Sequence, residues 1–282
     1  MNDNPLAKHF RQPKLYIQFP SKGNFYPDGS LEETETGDYP IFAMTAKDEL
    51  TIKTPDALLN GQATVSVIQS CVPNIKNAWH VPSIDIDAIL IAIRIATYGE
   101  KMDLTFNIKE IDEERTFEVD LRTVLDQLVS ESYENMINTD IVRFEIAPLS
   151  YKYFTQIAMK SFEEQRLFAS VNDDSLTDEE KLEKFNESFS RITDLNIFNV
   201  TRSVIAVQFP GEDTVTHAGH IVEFFNNTDK STYKTVIEHL DAQRNKFTVK
   251  PVKVTLPQED IDRGAPEEIS IPITFDQSNF FE

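Results

Sequence analysis

The sequence predicts an α+β fold. It has an N-terminal mixed domain with a buried helix pair and a β-hairpin, a helical bundle in the middle, and a β-rich C-terminal tail. Three observations carry this expectation. SIDIDAILIAIRIATY, bounded by Ser83 and Gly99, is apolar nearly all round, as a helix in the centre of a core would be. MDLTFNI (Met102–Ile108) and TFEVDL (Thr116–Leu121) alternate with period two around a charged connector, the pattern of a hairpin. After Pro148 the period changes to that of long helices. The expected boundaries are 1–148, 149–246 and 247–282.

In chain order, LYIQF (Leu15–Phe19) and YPIFAM (Tyr39–Met44) read as short extended segments, separated by the turns SKGN and PDGS and the acidic loop LEETETGD. Thr54-Pro55-Asp56 carries the signals of a helix start, with Thr as N-cap, Pro in the first turn and Asp near the positive end of the dipole. That helix is expected to run to Cys71 with Gly61 inside it, where a missing Cβ permits close backbone approach. Ser83 is expected to cap the central helix and Gly99 to end it. Leu104, Phe106, Phe117 and Val119 are the expected cross-strand packing of the hairpin. Thr123–Tyr133 reads as a short helix and Val142–Ala147 as a strand.

In the middle region Phe154, Ile157, Ala158, Phe162 and Phe168 form one stripe, and Leu182, Phe185, Phe189 and Ile192 a second. A third helix is expected from about Asp194 to Val207, with Leu195, Phe198, Thr201, Val204 and Ile205 inward. Helices follow at His217–Phe225 and Ser231–Arg244. VKVTL (Val252–Leu256) and ISIPITF (Ile269–Phe275) close the chain as alternating strands.

Composition narrows the function. The chain has 282 residues, 47 acidic and 27 basic, for a net charge of −20. That charge disfavours nucleic acid, whose phosphates it repels. The 20 Phe argue against disorder. A single cysteine, Cys71, allows no internal disulfide or thiolate metal cluster and reads as a buried small hydrophobe. The start MNDNPLAKHF has no apolar signal core, and the run Ile84–Ala96 is too short and too charged to span a bilayer, so an intracellular location without a membrane span is expected.

No catalytic constellation emerges. GxSxG, GxxxxGK[ST] and GxGxxG are all missing from the sequence. His217, His220 and Glu223 share a helical face and would be the ligands of a metal-dependent hydrolase, the remote alternative, against the simpler reading of a polar helix face. Asp85 and Asp87 stand at i,i+2 and read as helix-start charges rather than a catalytic pair. The sequence therefore nominates no catalytic residue, no cofactor and no metal.

Interaction features are more numerous. From Asn4 to Pro27 there is no acidic residue, and Lys14, Tyr16, Phe19, Lys22, Phe25 and Tyr26 interleave cations with rings. Docking on an acidic partner and packing on the chain's own body both fit this arm. Phe280 and Phe281 near the C-terminus either pack on the body or enter a partner pocket.

Several stretches carry a family resemblance: KLYIQFPSKGNFYP (Lys14–Pro27), MTAKDELTIKTPDALLNGQATVSVIQSCVP (Met44–Pro73), PSIDIDAILIAIRIATYGEKM (Pro82–Met102), FEVDL (Phe117–Leu121) and ITFDQSNFF (Ile273–Phe281). They resemble the baseplate family of T4-like contractile phage tails, the group of hub subunits and hub-assembly proteins. The resemblance implies a non-enzymatic structural or assembly role in the central hub. It implies other hub or tape-measure proteins as partners, no nucleic acid, and a location in the host cytoplasm during assembly and, for a protein that stays in the particle, the virion tail baseplate. A transient chaperone missing from the finished particle is the alternative. Lys47, Asp48 and Glu49 lie in the motif and present either a partner-facing edge or a solvated turn.

Overall fold

The computed structural model describes residues 5–53, 61–170, 177–273 and 280. The fold is α+β, and two hydrophobic clusters organise it.

The first cluster is built around α3 (Ser83–Tyr98), in which twelve of sixteen residues are buried. Ile, Leu and Ala occupy every side of it, and even Asp85 and Arg94 are buried, so it has no polar face to turn to water and neighbours must cover it. On one side lie β1 (Pro13–Ile17) and β2 (Tyr39–Phe42), paired antiparallel with Leu15 opposite Ile41 and Ile17 opposite Tyr39. Helices α1 (Ala46–Ile52) and α2 (Gln62–Cys71) pack together, α2 also against α3. The proposed helix start at Thr54 lies outside the described residues. Gly61 does not sit inside a helix but opens α2 with φ +76°, a left-handed conformation that no helix interior accommodates. A Cβ there would come within 3.2 Å of Tyr151 and Thr155, so close approach is indeed what this glycine supplies. Pro82 occupies the N-cap of α3 and Ser83 its first position, while Gly99 ends it as expected.

The hairpin β3 (Lys101–Ile108) and β4 (Glu113–Asp120) sets Leu104 opposite Phe117 and Met102 opposite Val119. Asp120 caps α4 (Leu121–Ser130), accepting from the Arg122 amide. The C-terminal hairpin β8 (Val252–Thr255) and β9 (Glu268–Ile271) returns to this same cluster, to which Leu256, Ile269, Ile271, Ile273 and Phe280 contribute. Between its strands the short helix α9 (Gln258–Asp262) presents Asp260, whose carboxylate takes a forked pair of bonds from Arg115 of β4 at 2.7 and 3.1 Å.

The second cluster covers a three-stranded antiparallel sheet, β5 (Met136–Asn138), β6 (Arg143–Ile146) and β7 (Val204–Gln208), with α7 (Ala218–Asn227) and α8 (Lys230–Phe247). Phe144 at its centre is fully buried against Phe224 and Phe225.

Between the neighbouring strands β6 and β7 the chain makes an excursion through two long helices, α5 (Tyr151–Ser170) and α6 (Asp178–Ser203). Three expectations change here. The helices anticipated near Leu182–Ile192 and Asp194–Val207 are one continuous helix ending at Ser203. Val204–Gln208 is a strand, because β-branched residues there complete the sheet beside β6. Ile205, expected inward, is 42% exposed, since alternation along a strand turns it away from Val204.

Candidate interaction surface

The basic aromatic arm is divided between core and surface. Phe19 is fully buried, stacked on Tyr39 at 4.2 Å with nearly parallel rings. After it the chain turns through Lys22, Gly23 and Phe25, all with positive φ, which is strained backbone for a bulky residue such as Phe25. The turn is pinned by Asp85 in the first turn of α3. The buried Asp85 carboxylate accepts from the Ser21 amide (2.7 Å), the Ser21 hydroxyl (2.6 Å) and the Tyr26 hydroxyl (3.0 Å). Burial pushes the Asp85 carboxyl up to about 7, although the three donors pull the other way. Burial, with the carboxylate beside it, also drives the Tyr26 hydroxyl well above its ordinary range. Asp85 thus does more than complement the helix dipole: it holds the arm. Lys22 donates to the Val129 carbonyl (2.5 Å), and Phe25 meets Tyr133 edge-on at 5.3 Å.

A second polar knot ties the arm's start to α1. Asp48 closes a capping box with Thr45 and accepts from Ser70 Oγ at 2.9 Å. Arg11 reaches Asp48 at 3.4 Å and donates to the carbonyls of Ala43 and Ser70. Cys71 lies beneath, and burial raises its thiol to about 12, so it stays protonated.

Of the residues singled out from sequence, Phe19, Tyr26, Asp48 and Phe280 therefore spend their side chains on the chain's own interior. Phe25 and Glu49 are half-buried, and Lys14, Tyr16, Lys22 and Lys47 face solvent, with Tyr16 60% exposed. Phe281 lies outside the described residues. The exposed ones belong to β1, the following turn and α1.

The surface that sequence reasoning missed is the α5–α6 hairpin. At mid-height its interior is polar. Glu164, buried, accepts from Ser188 Oγ (3.0 Å) and pairs with Arg191 Nε (2.7 Å). Nearer the base, Arg202 stacks over Tyr153 and Phe198 at 4.8 and 5.1 Å. The two apolar stripes largely face out: Phe162 is 61% exposed, Leu182 61% and Phe189 65%, while Ile157 is half-buried. Phe154, Phe185 and Ile192 are exposed too, with Phe185 and Phe189 stacked on each other. The side chain of Phe168 lies outside what the structure describes. The four-residue spacing was legible; its direction was not, because that depends on which residues meet across the pair.

Two further places have some chemistry. A cleft of about 270 Å³ between the clusters is lined by Asp87, Tyr133, Phe154, Leu240, Gln243 and Phe247. Burial raises the Asp87 carboxyl to about 6, offset in part by a bond from the Val249 amide. At the start of α7 the His217 and His220 rings lie 4.5 Å apart, both exposed. Among the described residues no three His, Cys, Asp or Glu side chains converge as a metal site, and no helix is long and apolar enough to cross a membrane.

A family model described as T4 bacteriophage base plate protein matches residues 30–250. The chain belongs to that family. The match runs from just after the arm to the end of α8, so it takes in Asp85 and the whole α5–α6 hairpin. It leaves out Ser21 and Tyr26 at one end and the β8–β9 hairpin at the other. No curated protein and no solved structure matches the chain significantly. Membership supports a structural role in a phage baseplate, with phage structural proteins as partners and the virion tail as the fitting location.

Proposed function

We propose that this chain is a non-enzymatic component or assembly factor of the central hub of a contractile-tail baseplate, acting through contacts with other hub or tape-measure proteins. One observation carries the reading: a baseplate-family chain displays two rows of large apolar side chains on a projecting helical pair. Contiguous apolar surface of this kind is characteristic of a face that is covered in an assembly. The exposed Lys14, Tyr16 and Lys47 provide a second set of groups for contact. A net charge of −20 keeps the free protein soluble in the host cytoplasm before incorporation.

The test is affinity capture of the tagged chain from infected cells, paired with peptide mapping of purified particles. Hub proteins in the eluate together with this chain in the particles identify a permanent subunit. Hub proteins in the eluate and no trace in the particles identify a transient assembly chaperone. An eluate without tail proteins refutes the hub reading.

A further inference from the structure

The outward face of the α5–α6 hairpin differs from the rest of this acidic molecule in its charge pattern. Each residue of a helix advances about 100° around the axis. Glu164 and Ser188 meet across the pair and so define the inner line of α5 and of α6. Counted from those lines, Phe154, Ala158 and Phe162 turn to one side of α5. Leu182, Phe185, Phe189 and Ile192 turn to one side of α6. Because the helices run antiparallel, these two sides are the same side of the hairpin. The remaining positions there are Thr155, Ser161 and Gln165 on α5, and Asn186, Thr193 and Asn196 on α6. From Phe154 to Gln165 and from Leu182 to Asn196 this side carries no ionisable residue. Lys160, Glu163, Glu187, Arg191 and Asp194 lie along the inner line or the opposite side, and Arg166 stands at the edge of the face, one turn beyond Phe162. Over these spans the charges are segregated from the apolar rows.

We propose that this face binds the same face of a second copy of the chain, closing a two-fold four-helix bundle. Three features select that occupant. Within those spans the face is charge-free in a chain of net charge −20, so a partner recognising the protein by its acidity finds no carboxylate there, whereas a second copy meets apolar rows with apolar rows and buries no unpaired charge between them. Each copy brings two antiparallel apolar rows, Phe154 and Phe162 on one helix and Leu182, Phe185, Phe189 and Ile192 on the other, which a two-fold axis can set against the same rows of a second copy, as an isologous contact requires. The exposed parts of the six large side chains amount to roughly 600 Å² per copy, so a pair that covered them fully would bury about 1,200 Å², the lower end of stable specific interfaces. Salt strengthens such a dimer, because it screens the repulsion between two acidic bodies and leaves the apolar contact intact.

The proposal stands apart from the hub reading, since it is tested on the purified full chain alone. Sedimentation equilibrium is expected to give a dimer whose affinity rises between about 0.05 and about 0.5 M NaCl. Phe189→Glu combined with Leu182→Glu is expected to weaken it at least tenfold. Asp194→Asn, on the charged side, leaves it unchanged. Both altered positions are more than half exposed, so far-ultraviolet circular dichroism and the melting temperature at low concentration should be those of the wild type. As an independent readout, Asn186→Cys places a reactive thiol on the face in a chain whose own Cys71 is buried. Its maleimide labelling should slow as protein concentration rises. A chain that stays monomeric at every concentration overturns the proposal. So do a dimer that survives the double substitution and an Asn186→Cys thiol whose labelling ignores concentration. A monomer that binds a hub protein through Phe189 and Leu182 overturns it as well and assigns the face to that partner.

Discussion

The helix α3 and the α5–α6 hairpin use similar residues in opposite ways. Around α3 the apolar side chains point into the cluster from every direction. Of the polar groups inside, Asp85 and Asp48 are each satisfied by two or more partners. The Arg94 guanidinium reaches the Gly99 carbonyl and the Tyr98 ring, while its Nε stays unpaired. In the hairpin the polar groups Glu164, Ser188 and Arg191 lie between the helices, while Phe162, Leu182, Phe185 and Phe189 lie outside; toward the base the rings of Tyr153 and Phe198 meet across the pair. One region has finished burying its apolar surface within the chain. The other has postponed it. Apolar side chains stabilise a monomer in the first case and wait for a second surface in the other.

Substitutions at matched residues separate the two regions, and the largest effect belongs to the core. Phe19→Ala should cost about 3–5 kcal/mol in denaturant unfolding, because a fully buried ring stacked on Tyr39 leaves a cavity. The Asp85 knot comes next. Asp85→Ala strands three donors and should cost roughly 1–3 kcal/mol, with Asp85→Asn milder because an amide still pairs with Ser21 and Tyr26. A pH dependence accompanies it. The folded pKa of Asp85 is raised from 3.8 to about 7, so the folded state holds the proton more tightly than the unfolded chain. The stability linked to that proton is complete at or below about pH 4 and is lost as pH rises through about 7. Asp87, raised to about 6, contributes with the same sign. Unfolding free energies measured between about pH 5 and 8 should fall, and Asp85→Asn should flatten the slope; an unchanged slope would remove Asp85 as its source.

Smaller effects are expected in the hairpin. Ser188→Ala removes the buried hydroxyl that donates to Glu164 and should cost about 1 kcal/mol. Phe189→Ser should change the stability of the monomer by about 0.5 kcal/mol or less, because that ring gives up little on unfolding. If Phe189→Ser proved as damaging to the isolated chain as Phe19→Ala, the contrast between the regions would fail.

How much of this was legible depends on how local the determining interactions are. The length and burial of α3 follow from its own composition, and β3 and β4 follow from alternation around a charged turn. The strand β7 was read as helix because VIAVQ continues an apolar pattern compatible with either period, and its partner β6 lies on the far side of the whole hairpin excursion. Asp85 was legible as a helix-start charge but not as the anchor of Ser21 and Tyr26, a contact between residues far apart in sequence. For Phe280 the sequence left two destinations open, and the ring is fully buried in the first cluster. The stripes of α5 and α6 were visible from spacing, yet spacing gives a stripe and not its heading. The buried contact of Glu164 with Ser188 sets the heading, and nothing in the local sequence distinguishes that glutamate from its solvated neighbour Glu163.

The hairpin leaves and rejoins the sheet on adjacent strands, where Ile146 and Val204 are cross-strand partners. Its length is consequently independent of the strand register. Residues added in equal number to both helices would move the tip outward by about 1.5 Å each without displacing β6 against β7. Adding seven to each would extend it by roughly 10 Å and swing the outer rows by only about 20°. Adding four would extend it by about 6 Å and turn the rows by about 40°. Reach and aim are thus two separately adjustable settings of a strut mounted on a fixed base.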